Sequence, residues 1–242
     1  MRDQAAFWDR WAARYARMPV PDGAAYARKL AMTREHFLPQ TELFEFGCGT
    51  GSTALAHAPH VARVEAIDVS AKMIAIARRK AEEGGIPNVA FSQASILDHA
   101  PAAGSVDMVL ALSILHLLRE RRAAIARAFA MLRPGGLFVS STPCLSDSLP
   151  WIGLVAVPGH ALGLLPDLRM IASRDLRRDL VRAGFEIEHS WLPSRRAALF
   201  VIARKPGTGA ALRRPVEAER AEAAASDDRP THPGPAKSRA QP

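Results

Sequence analysis

A short apolar run, Leu43-Phe44-Glu45-Phe46, ends in a glycine loop, Gly47-Cys48-Gly49-Thr50-Gly51, and Ser52 then opens a segment of helical character. Few arrangements restrict a fold more. The glycines permit backbone angles that a Cβ would hinder, and they let a ligand approach the main chain. A loop of this kind between strand and helix belongs at the carboxyl end of a parallel strand, where open α/β sheets bind ligands. Its spacing is G-x-G-x-G, with Ser52 standing where the dinucleotide fingerprint has its third glycine. Glu45, just ahead of the loop, repels phosphate and favours a ligand carrying an ammonium or sulfonium. Asp68 lies 21 residues after Gly47, at the end of the next apolar run. At that distance an acidic residue accepts hydrogen bonds from ribose hydroxyls.

The rest of the chain alternates in the same way. Val64–Asp68, Val89–Phe91, Val106–Leu112 and Leu137–Ser140 read as further strands. Helical segments run over Ser52–Ala58, from a Ser70 cap to Glu83, over Glu120–Leu132, and from a Ser173 cap to Ala183. Pro134-Gly135-Gly136 reads as a turn, and Phe185–Trp191 with Ala197–Arg204 as a closing hairpin. The expected fold is α/β: a Rossmann-like, seven-stranded, mostly parallel sheet with an antiparallel terminal strand and helices on both faces. Two helices, Asp3–Arg17 and Ala24–His36, precede it as a cap over residues 1–38.

At 242 residues one such domain uses most of the chain, residues 1–204. From about Lys205 to 242 the sequence is rich in Ala, Pro, Arg, Glu and Ser and reads as a disordered tail, with a weak helical tendency over Pro215–Ala225. The net charge of +8 comes from scattered arginines, which argues against a dedicated nucleic-acid surface. Cys48 and Cys144 are far apart and in no metal-ligand spacing, so no metal site is expected and a reducing, cytoplasmic setting fits. No secretory signal is read at the N-terminus. Leu149–Leu165 is too short and too interrupted by proline and glycine to span a membrane.

Taken in order, Glu45 to Gly51, Asp68-Val69-Ser70-Ala71-Lys72-Met73, Val106-Asp107-Met108-Val109 and Leu132-Arg133-Pro134-Gly135-Gly136 resemble the class I S-adenosylmethionine-dependent methyltransferases. Within that family the pattern is most similar to the small-molecule enzymes of the ubiquinone/menaquinone group. The resemblance covers residues 7–204 and implies roles position by position. The backbone of Gly47, Cys48, Gly49 and Gly51 lies against the methionine portion of S-adenosylmethionine, with Glu45 near its amino group. Asp68 holds the ribose hydroxyls. Val69 and Met73 flank the adenine, and Gln93-Ala94-Ser95-Ile96 covers its other face. Relatives often carry an aspartate where Ser95 stands, so here only a hydroxyl is on offer. Leu112 sits beside the methionine chain, and Tyr15 with Trp11 closes over the cofactor.

Methyl transfer from a sulfonium needs alignment and exclusion of water, and a base only where the acceptor must lose a proton. His116, just past the fourth strand, is the candidate base. The segment Leu112-Ser113-Ile114-Leu115-His116 lacks the Asn/Asp-Pro-Pro-Tyr/Phe run of nucleobase and amide N-methyltransferases. Residues 143–171 form an apolar insertion, read as a lid that buries an apolar or amphipathic small acceptor; peripheral membrane contact through 149–168 is the competing reading. RNA or protein methylation and non-catalytic cofactor binding stay open as alternatives, and the oligomeric state is not legible.

Overall fold

A computed structural model describes residues 2–149, 151–194 and 197–207; the expected tail, from 208 on, and its helical stretch lie outside them. Seven strands form one sheet: β1 (Glu42–Phe46), β2 (Arg63–Asp68), β3 (Val89–Gln93), β4 (Val106–Leu112), β5 (Leu132–Pro143), β6 (Glu186–Trp191) and β7 (Ala198–Arg204). Their spatial order is β3-β2-β1-β4-β5-β7-β6. β7 runs antiparallel to both neighbours, and the first five strands pair in parallel. The chain winds outward from β1 through β2 and β3, then returns to the other side of β1 with β4. The carboxyl ends of β1 and β4 therefore diverge into a crevice at the switch point, where ligands bind in open sheets.

The central strands are apolar throughout because helices cover both faces. On one face Phe44, Phe46, Val109, Ala111 and Phe138 pack with Ala124, Ile125 and Ala128 of α5 (Arg121–Met131) and with Leu176 and Leu180 of α8 (Ser173–Arg182). On the other, Leu43, Val64, Ala66, Met108, Leu110 and Val139 pack with Ala54 of α3 (Ser52–His57) and with Ile74 and Ala77 of α4 (Ala71–Glu83). Alternation along β1 puts Glu45 on the same side as Leu43, facing α3.

The N-terminal helices are α1 (Arg2–Tyr15) and α2 (Gly23–Arg34). Asp22 caps α2 by accepting from the Ala25 N–H, and Ser70 caps α4 by accepting from the Met73 N–H. Ser70 Oγ in turn donates to Asp9 Oδ1 (2.6 Å), which also accepts from the Lys72 N–H (3.0 Å). The same carboxylate thus complements the N-terminus of α4 and fastens α1 across it. Gln4 Nε2 fixes the other end, donating to the Leu117 and Asp167 carbonyls.

Three local readings need correction. Pro134-Gly135-Gly136 is not a plain turn but an irregularity inside β5: Val106 pairs with Leu132, yet Met108 pairs with Leu137. Gly135 has φ +82°, and a Cβ on Gly136 would come within 2.9 Å of the Asp107 carbonyl. Ser173 is the first residue of α8, not its cap; its N–H is taken by Asp147 Oδ2 at 2.7 Å. The insertion holds two helices, α6 (Leu145–Ser148) and α7 (Ile152–Ala161), and Trp151, Leu154, Val157, Leu162 and Leu164 stand exposed. No helix among the described residues is long and apolar enough to cross a membrane.

Asp179, only 3% exposed, joins α8 to α5 by accepting from Arg121 (2.5 Å) and Arg122 (2.9 Å). Its removal leaves the mostly buried Arg121 without a counter-charge. Asp179→Ala should therefore cost about 3 kcal/mol, read as a lower urea midpoint at unchanged slope.

Candidate functional site

The crevice opens into one large cavity of about 970 Å³, walled by α1, α2, the glycine loop and the carboxyl ends of β1, β2, β4 and β5. The loop is built from its backbone outward. Gly47, Gly49 and Gly51 all have positive φ (67°, 54° and 75°). Cys48 N–H donates to the Ile67 carbonyl, Gly49 N–H to Asp68 Oδ2 (2.9 Å), and Lys80 of α4 reaches back to Thr50 O and Oγ1. β2 and α4 thus hold the loop from behind while its front faces the cavity.

The glycines do different jobs. A Cβ on Gly47 would meet Ile114 at 2.5 Å, and one on Gly49 would project to within 3.8 Å of the Tyr15 ring. Both residues line the cavity. Gly51 does not: it is the N-cap of α3, and a Cβ there would strike Phe91 and Ala77. What demands a glycine here is the packing behind the loop.

Of the other expected residues, Glu45, Cys48, Asp68, Val69, Met73, Ser95, Ile96, Leu112 and Tyr15 all line the cavity. Trp11 does not. It stacks on Phe7 and carries Arg14 on its face, while Trp8, edge-on to Tyr15, supplies the cavity wall. Gln93 turns its amide to the Val69 carbonyl and leaves the wall to Ala94 and Ser95. His116 is also misplaced by the sequence reading. It sits in the 3-10 turn Leu115–Leu117, lies outside the cavity lining, and burial pulls its pKa down to about 4, leaving it neutral at pH 7. Nothing there equips it as the base. Among the described residues of the 143–171 insertion only Asp167 lines the cavity, held by Arg119 and Arg169, and the exposed apolar side chains of α7 lie outside the lining.

Several lining residues escaped the sequence reading. α2 turns Tyr26, Lys29, Leu30 and Thr33 inward. Their i, i+3, i+4, i+7 spacing was visible, but a face mixing charge with apolar groups does not resemble a core face. Ser113 lines the cavity with φ 56°, the one non-glycine residue with positive φ among the described residues. Such backbone strain gathers at functional positions.

The electrostatics are acidic at the loop. Glu45 is 2% exposed; Ala54 N–H donates to its carboxyl, while Oε2 has no partner. Burial, and then the nearby Asp68 carboxylate, push its pKa up to about 8. Asp68 is raised as well, chiefly by burial, against the N–H groups of Ser70 and Gly49 that favour its ionised form. An orphaned buried carboxyl beside a cradle that any Cβ would fill suits a cationic ligand group.

A family model described as a methyltransferase domain matches residues 43–136. The ubiquinone biosynthesis O-methyltransferase of Methylocella silvestris is 29% identical over 181 residues, covering 67% of this chain and 70% of that one. Other curated relatives are matched over 40% to 55% of their length, and the uncharacterised Synechococcus protein syc1184_c over 25%. The crystal structure of an S-adenosylmethionine dependent methyltransferase from Mesorhizobium loti superposes with TM-score 0.64 at 24% identity, covering 76% of this chain and 99% of that one. That of the [4+2]-cyclase SpnF does so with TM-score 0.63 at 22% identity, covering 77% and 84%. At such identities these two likenesses concern the fold alone.

Because Glu45 is held neutral in the folded protein well above its usual range, its ionisation erodes stability as pH rises from 4.5 towards 8. Glu45→Gln removes that loss. Melting curves of wild type and variant should coincide near pH 4.5, and the variant should gain progressively up to about pH 8 and hold its lead above it.

Proposed function

We propose that this chain, a member of the class I S-adenosylmethionine-dependent methyltransferase family, transfers a methyl group to a small acceptor of apolar or amphipathic character. The observation that carries this reading is the meeting of Glu45, the glycine loop and Asp68 on one cavity wall. Its volume lies at the upper end of the roughly 300–1,000 Å³ range of small-molecule sites. The part of the cavity over the ends of β4 and β5, where Lys29 meets Ser141, is left for the acceptor.

S-adenosylmethionine, when bound, supplies a methyl already activated by its sulfonium. The residues of this chain bind and orient. Gly47 and Gly49 offer close backbone approach, and Glu45 faces the methionine ammonium. Asp68 uses the lone pairs left over from Gly49 and Ser70 for the ribose hydroxyls. Val69, Met73, Ser95 and Ile96 surround the adenine, and Leu112 flanks the methionine chain. Tyr15 and Trp8 of α1 exclude water from above. With His116 outside the cavity, rate comes from alignment and desolvation rather than from a histidine base. Residues 1–38 act as the cap of the catalytic domain.

Titration calorimetry with S-adenosylmethionine and S-adenosylhomocysteine tests the reading. Micromolar binding is expected for wild type, weakened about 30-fold in Asp68→Ala by the loss of charge-assisted hydrogen bonds worth about 2 kcal/mol. Folded wild type that binds neither compound would overturn it.

A further inference from the structure

The cavity has a second polar pole, over the carboxyl end of β5, two strands along the sheet from β1. Lys29 projects from α2, half-buried, and its Nζ donates to Ser141 Oγ at 2.9 Å. An ammonium carries three N–H donors, so two remain for a ligand. No carboxylate pairs with Lys29 among the described residues; Asp22 acts only at a distance. The strand neighbours of Ser141 are apolar, Leu112 on β4 and Phe200 on β7, and both line the cavity. A cation placed in such surroundings without a counter-charge is costly unless a ligand supplies one. Burial accordingly pulls the Lys29 pKa down.

Ser141 fixes where this pole stands relative to the transfer site. It lies at the carboxyl end of β5, in register with Leu112 at the end of β4, and its carbonyl accepts from the N–H of the strained Ser113 at 2.7 Å. The ammonium is therefore one strand away from the residue assigned to the methionine chain. We infer that Lys29 and Ser141 form an oxyanion subsite for the methyl acceptor, which is an apolar small molecule bearing a carboxylate or an ionised phenol or enol oxygen.

This inference rests on the methyltransferase reading and deepens it. The acceptor oxygen contributes the electron pair of the new C–O bond, and the methyl C–S bond breaks with its pair going to sulfur. One negative and one positive charge cancel, giving a neutral ester or ether and a neutral thioether. No proton has to be removed within the cavity, which fits the absence of His116 from its wall. The neutral product has lost its charge partner in Lys29, and this favours release. An amine acceptor, cationic at neutral pH, would meet repulsion from the same group.

The test uses the full-length protein loaded with S-adenosylhomocysteine, titrated by calorimetry at mildly alkaline pH. Octanoate is compared with 1-octanol and octylamine, and 4-nitrophenolate with 4-nitroanisole. At least one oxyanion should bind about tenfold or more tightly than its uncharged counterpart. That preference should vanish in Lys29→Met and persist in Lys29→Arg, with S-adenosylhomocysteine affinity unchanged in both. Which oxyanion shows it separates carboxylate from phenol or enol acceptors. Equal binding of charged and neutral probes, preference for octylamine, no binding of any probe, or an oxyanion preference that survives Lys29→Met would overturn the proposal. Should Lys29→Met fail to fold, Ser141→Ala takes its place and should lower affinity for the preferred oxyanion severalfold; unchanged affinity would count against the subsite. Failure of the cofactor reading is a separate result, absence of S-adenosylhomocysteine binding, and the same probe titrations on the ligand-free protein then decide Lys29 alone.

Discussion

The carboxylate of Asp68 ties together the parts of this molecule that have to agree. One oxygen takes the Gly49 N–H and fixes the loop after β1, and the other takes the Ser70 N–H at the start of α4. Ser70 then caps α4 and grips Asp9, so that α1 lies over the cavity. Loop, strand end, helix N-terminus and cap helix are connected by four hydrogen bonds through two side chains. The same carboxylate faces the cavity, so the group that organises the loop also lines the site. Burial of this kind is tolerable only because backbone N–H groups compensate the charge.

How far the sequence foretold this arrangement depended on the range of each signal. Strand and helix identities were readable because apolar runs and the Ser70 cap are local features, and β4 coincides with its expected bounds. The loop and Asp68 were readable because a fixed chemical task demands fixed spacing. Failures came where tertiary context decides. Trp8 and Trp11 both suit an amphipathic helix, and only docking on α4 chooses which of them faces the cavity. Gly51 looked like its two companions, although its constraint is the Phe91 ring behind it. His116 follows β4 closely enough to suggest the pocket, yet the 3-10 turn carries it out of the lining. The apolar insertion was read as a lid from composition alone, while the residues lining the cavity include those of α1, α2 and the turn between them, which lie far away in sequence.

The cavity divides its charge. Two buried acids stand by the glycine loop, a lysine on α2 stands over the end of β5, and in the sheet the apolar end of β4 lies between. Neither pole neutralises the other, since no ion pair among the described residues joins Lys29 to Glu45 or Asp68. Each is thus held ready for a ligand of opposite sign, at a cost in stability that packing of the two sheet faces must offset.

The position of β7 has a consequence for how the chain assembles. It is the last strand in sequence among the described residues, yet it lies inside the sheet, pairing with β5 on one side and β6 on the other. During synthesis β5 must wait with an open edge until residues 198–204 emerge, and β6 has no partner at all until then. The sheet is therefore completed from its interior, and Phe200, which closes one wall of the cavity, arrives with that final strand. Chains arrested before this point would carry an unpaired edge on an apolar strand, the kind of surface that invites association with other chains.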